Sequence, residues 1–129
     1  MGAITGWSFS SMLVEESRRV ALAGDKEGAP KVNMALCVRQ DPKMARGKIA
    51  AQCSHASLGL FRIMNEEKQN LMDTWDSSGR PQSVYKIADE TVMKTISKRC
   101  RELGIPRCVI RDAGRTQVAA GSKTVIAFC

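Results

Sequence analysis

The chain has 129 residues, 43% apolar and 5% aromatic, with a formal net charge of +7. This length suits one domain burying about two-thirds of its unfolded surface, so no disulfide scaffold is needed. So few aromatics argue against a platform of stacked bases, while the basic balance favours a polyanionic partner such as nucleic acid.

Residues 1–30 carry a net −1, which leaves +8 to the remainder. Ile4, Trp7, Phe9 and Met12–Val14 add some hydrophobicity, but no apolar run approaches the roughly 20 residues of a membrane-spanning helix. A basic region followed by an apolar core is missing, so no secretory signal is expected. Ser8, Ser10, Ser11, Arg18 and Arg19 hint at a transit peptide, whereas Glu15 and Glu16 count against one. A short helix over Ser11–Leu22 is possible, and Gly24–Pro30 reads as a linker. Residues 1–30 are therefore expected to be an N-terminal extension, part helical or disordered, and 31–129 a single domain.

Val32–Gln40 reads as a buried strand, broken at Asp41-Pro42 and followed by a helix over Ala45–Met64. On that helix Ile49, Cys53, Ala56, Leu60 and Ile63 form an apolar face. A second line, Lys48, Gln52, His55 and Gly59, stacks an ammonium, an amide and the only imidazole in the chain. Leu71, Met72 and Trp75 suggest a further helical turn or two, and Ser77–Pro81 a loop. Ser83–Ile87 reads as strand two. Asp89 then caps a helix with the stripe Val92, Ile96, Cys100 and Leu103, stopped by Gly104 and Pro106. Arg107–Arg111 and Thr124–Phe128 complete the set as strands three and four.

The order β-α-β-α-β-β predicts three parallel strands joined by helical crossovers and a last antiparallel strand. That is an α/β fold, a three-layer α/β/α sandwich around a small four-stranded mixed sheet. Ligands of such sheets bind beyond the carboxyl ends of the strands, which should bring Asp41–Lys48 beside Asp112–Gly121.

The five cysteines form no Cys-x-x-Cys pair and read as reduced, mostly buried thiols of a cytoplasmic protein. Cys53-x-His55 lacks the spacing of a structural zinc site. Gly47-Lys48 is not a phosphate-binding P-loop, because Pro42 replaces its first glycine and Ile49 its Ser or Thr. A Gly-x-Ser-x-Gly nucleophile elbow is also absent. The segment Asp112–Ser122, DAGRTQVAAGS, has the length at which a loop is usually functional. Asp112 could bond a histidine, polarise a water or cap its own turn. Arg115 suits a phosphate, and Thr116 and Gln117 add neutral donors and acceptors.

GKIAAQCSHASLG (Gly47–Gly59) together with DAGRTQVAAGS closely resembles the peptidyl-tRNA hydrolases of the type common to archaea and eukaryotes. The resemblance extends over Lys31–Phe128, with Ala120 where family members often have proline. It implies a four-stranded mixed sheet flanked by helices, often in a homodimer, with no metal or organic cofactor and no membrane. The implied reaction is hydrolysis of the ester joining a peptide to the tRNA 3′ end. Lys48, Gln52, His55, Asp112 and Thr116 are the expected catalytic group. A base that titrates near neutrality suits attack by water, which points to His55; Asp112 could orient that imidazole or itself position the water. Lys48 would hold the developing oxyanion, with Thr116 or Gln52 as a neutral donor worth about 3 kcal/mol. Lys43, Arg46, Arg111, Arg115 and Gln117 are expected to hold the tRNA. The competing class is a non-catalytic basic module binding RNA or protein. A mitochondrial address in residues 1–30 is the alternative to the cytoplasm.

Overall fold

A computed structural model of the chain describes residues 32–114 and 120–129. The elements are β1 (Met34–Arg39), α1 (Arg46–Glu67), α2 (Gln69–Ser77), β2 (Gln82–Ile87), α3 (Glu90–Glu102), β3 (Arg107–Arg111) and β4 (Lys123–Phe128). The readings made for residues 1–31 and for Arg115, Thr116 and Gln117 lie outside the described residues.

The fold is α/β, with three helices and one four-stranded mixed sheet in the order β2-β1-β4-β3. Only one neighbouring pair, β1–β2, is parallel. This corrects the expected set of three parallel strands. β4 enters between β1 and β3 and pairs antiparallel with both, so β3 runs in the sense of β1 without touching it. Helical crossovers dictate strand sense but not which strands become neighbours.

Strand β1 is buried from Met34 to Val38. Its alternate residues Met34, Leu36 and Val38 join Ala56, Leu60 and Met64 of α1, Met72 and Trp75 of α2, and Val125 and Ala127 of β4 in one core cluster. The buried row of α1 is Gln52, Ala56, Leu60 and Met64, at a spacing of four, which keeps one face of the helix on the sheet. Ile49, Cys53 and Ile63, expected at the centre of that face, are only half-buried at its margin. The wheel is thus rotated from the expected one, and Gln52 leads the buried row.

Trp75 is buried and its Nε1–H donates to the Pro81 carbonyl at 3.0 Å, closing the loop from α2 into β2. On α3, Asp89 accepts the Val92 N–H at 3.0 Å as the N-cap. Glu90 in the first turn and Arg99 and Arg101 in the last complement the helix dipole. Its buried stripe is Met93, Ile96 and Cys100. Leu103, expected to extend it, sits at the C-cap and is 59% exposed. The helix ends there, with the Ile105 N–H donating to the Cys100 carbonyl at 2.8 Å.

Candidate active site

The carboxyl ends of β1 and β3 and the start of β4 lie at one edge of the sheet, because β4 is antiparallel to both. The bend after β1 leads into α1, whose first turns project Lys48 and, four residues on, Gln52 along one face. Asp112 follows directly on β3. The two segments meet as expected: Lys48 Nζ donates to Asp112 Oδ1 in an ion pair. The Asp112 side chain is 1% exposed and that of Lys48 15%.

Asp112 is held on several sides. Its Oδ2 accepts the Gly114 N–H at 2.8 Å. Its N–H donates to the Ser122 carbonyl and its carbonyl accepts the Gly121 N–H, each at 2.8 Å, which pins the neck of the loop. Gly114 has φ +79°, and a Cβ there would lie 2.5 Å from the Ala120 Cβ, so a side chain is both strained and obstructed. Asp112 therefore does cap its own turn through one oxygen, as the sequence allows. The other is directed at Lys48.

One turn along α1 the buried Gln52 amide donates to Thr124 Oγ1 at 3.0 Å, and that hydroxyl contacts the Ile110 carbonyl at 3.4 Å. Strict alternation would turn Thr124 away from its neighbour Val125, which belongs to the α1-side cluster. Instead the β3–β4 register slips, Ile110 pairing with Val125 and Arg111 with Lys123. The resulting β-bulge re-aims Thr124 towards α1. Sequence reading missed Thr124 as a site residue. Its only signal was a single hydroxyl in an otherwise apolar strand.

His55 stands about 10 Å along the helix axis from Lys48. It is exposed, and no hydrogen bond joins it to Lys48, Gln52 or Asp112 among the described residues. Lys43 and Arg46 are exposed on the approach to α1. Arg111 is exposed on the other flank, where its Nη1 donates to the Gly121 carbonyl at 3.3 Å. Thr116, Arg115 and Gln117 belong to the part of the loop outside the described residues. Among the described residues no group of three or more His, Cys, Asp or Glu side chains is placed to hold a metal ion. No helix among them is long and apolar enough to cross a membrane.

Fold and site together define an α/β domain with a buried carboxylate paired to a half-buried ammonium at the carboxyl edge of a mixed sheet. A family model described as peptidyl-tRNA hydrolase PTH2 matches residues 32–129. The chain belongs to that family. Among its relatives, "Peptidyl-tRNA hydrolase 2, mitochondrial" of Bos taurus is 41% identical over 93 residues, 72% of this chain and 52% of that protein. "Peptidyl-tRNA hydrolase 2" of Saccharomyces cerevisiae is 41% identical over 102 residues, 74% of this chain and 49% of that protein. "Peptidyl-tRNA hydrolase" of Methanococcus maripaludis is 38% identical over 92 residues, 71% of this chain and 79% of that protein. The chain spans about half the length of the cattle and yeast relatives it matches.

Proposed function

We propose that this chain hydrolyses the ester between a peptide and the 3′-terminal ribose of tRNA, releasing free tRNA. The observation that carries this reading is the pairing of half-buried Lys48 with buried Asp112 at the edge of the sheet where α/β domains bind ligands. Water attacks the ester carbonyl, negative charge develops on its oxygen, and the ribose hydroxyl leaves. Asp112, fixed by Gly114 and Lys48, orients the attacking water, takes up its proton and returns that proton to the departing ribose oxygen. Lys48, the more exposed partner, faces the growing oxyanion, with the Gln52 amide behind it. Thr116 is proposed as a second neutral donor. His55 on the open face of α1 is proposed to meet the substrate and to serve as an alternative base. Exposed Lys43, Arg46 and Arg111, with Arg115 and Gln117, would hold the acceptor end through its phosphates.

The assembly around the site belongs to the same proposal. Residues 31–129 form the catalytic domain, and 1–30 an extension. In β1, Met34, Leu36 and Val38 join α1, while Cys37 is buried outside that cluster and α3 lies against β1 and β4. This supports a three-layer sandwich. A homodimer would have a face available, since Leu58 and Phe61 on α1 are 62% and 40% exposed; sedimentation equilibrium decides it. All five cysteines are free, which suits a reducing compartment. The mitochondrial name of the cattle relative supports an organelle, and localising a tagged full chain separates it from the cytoplasm.

The proposal is tested with N-acetyl-aminoacyl-tRNA and free aminoacyl-tRNA side by side. Cleavage of the blocked substrate alone is expected. A folded chain that binds tRNA and cleaves neither substrate would instead be a binding module.

A further inference from the structure

The β1–β4 pairing stops at Val38–Val125, and the β3–β4 register slips one residue further along. A main-chain carbonyl at such a place needs a donor from outside the ladder. Arg39, the last residue of β1, supplies one: its Nη1 donates to the Lys123 carbonyl at 2.8 Å. The same guanidinium grips Asp41, Nε to Oδ1 at 2.9 Å and Nη2 to Oδ2 at 2.5 Å. The Arg39 side chain is 11% exposed, so the fork is sheltered on its inner side.

The positions of its partners give this contact its consequence. Asp41 lies in the bend that leads to Lys48 and Gln52. Lys123 follows Ser122, whose carbonyl takes the Asp112 N–H, and precedes Thr124, which takes the Gln52 amide. One planar cation thus ties the two chain segments that form the site. A lysine reaches only one of these acceptors at a time, because it lacks the rigid fork. The Arg39 hydrogen bond holds the Asp41 carboxyl below the usual carboxylate range, and that bond together with the negative charges of Asp41, Glu90 and Asp89 favours the charged guanidinium.

We infer that Arg39 is a positioning residue: by joining Asp41 to the Lys123 carbonyl it maintains the bulge that turns Thr124 onto Gln52, beside the Lys48–Asp112 pair. Its kinetic consequence rests on the proposed hydrolysis, but its structural one does not.

The test compares Arg39→Met, Arg39→Lys, Thr124→Val and the double variant Arg39→Met/Thr124→Val. With N-acetyl-aminoacyl-tRNA, Arg39→Met is expected to lower kcat about 100-fold and leave KM in place. Arg39→Lys, which keeps the charge without the fork, recovers only part of that loss. The double variant is expected to be no slower than the worse single variant, since both act through one hydrogen bond. Losses that multiply would overturn the inference. Amide hydrogen exchange reads the same geometry without substrate: Asp112 and Gly121 are expected to lose protection in both Arg39 variants while Leu36 keeps its own. Unchanged exchange at Asp112 and Gly121 would also overturn it. If wild type leaves the ester intact while Arg39→Lys exposes those two amides, the hydrolase reading falls and the positioning role stands.

Discussion

Most buried polar side chains are hydrogen-bonded, because leaving one without a partner costs stability. Among the described residues the buried polar side chains are Gln52, Asp112 and Thr124, and all three meet at one edge of the sheet. Lys48 and Asp112 were legible from sequence as members of two separate motifs, and topology predicted their meeting. The hydroxyl of Thr124 was not legible, because period-two alternation turns it to the other face and only the bulge brings it back. The pair also makes a stability prediction. Lys48→Met removes the countercharge from a carboxylate that water barely reaches, and should cost about 3–5 kcal/mol. Adding Asp112→Asn should recover most of that loss in urea denaturation. His55→Ala, at an exposed helix position, should stay within about 0.5 kcal/mol of wild type, so any loss of turnover there reports on chemistry or binding.

Periodicity located nearly every element to within a few residues. The expected Ala45–Met64 helix is Arg46–Glu67, and strand three is Arg107–Arg111 as read. Its errors have local causes: Leu103 fails as a core residue because the helix ends at it. The docking of α1 on β3 was invisible to any pattern, since it depends on two small residues from distant parts of the chain. A Cβ on Gly59 would come within 2.6 Å of Cys108 Sγ. Gly59→Ala is therefore expected to destabilise by about 1–3 kcal/mol, despite the better helix propensity of alanine. Adding Cys108→Ala opens the space, and the double variant should regain most of the loss. A single Gly59→Ala variant as stable as wild type would mean that the two elements do not pack this closely.

At the scale of the whole molecule, sequence yielded the α/β class and the edge at which Lys48 meets Asp112, but not the strand order. Insertion of β4 between β1 and β3 follows from pairing over long sequence separations, for which local pattern holds no record. The central strands also bury thiols. Desolvation pushes Cys37 of β1 up to about 12, and the half-buried Cys129, just past β4, up to about 11. Below the ordinary thiol range folded and unfolded chains both keep these protons, so the thiols leave stability unchanged there. As pH rises above about 8.5, only the unfolded chain releases them, and stability falls until the folded values are reached. For the buried Cys37 the slope approaches about 1.4 kcal/mol per pH unit, and urea midpoints between pH 8 and 11 should decline accordingly. Replacing Cys37 with Ala should flatten that decline.

The most direct test of the account is single-turnover release of N-acetyl-amino acid from its tRNA by wild type and Asp112→Asn, with tRNA binding measured on the same preparations. The amide of Asp112→Asn keeps an oxygen for the Gly114 N–H, so the loop neck should hold while the charge is lost. The account predicts turnover by wild type and a loss of about 100-fold or more in the variant, with binding retained. Equal turnover by both proteins would contradict it, as would a folded wild type that binds the tRNA and leaves the ester whole.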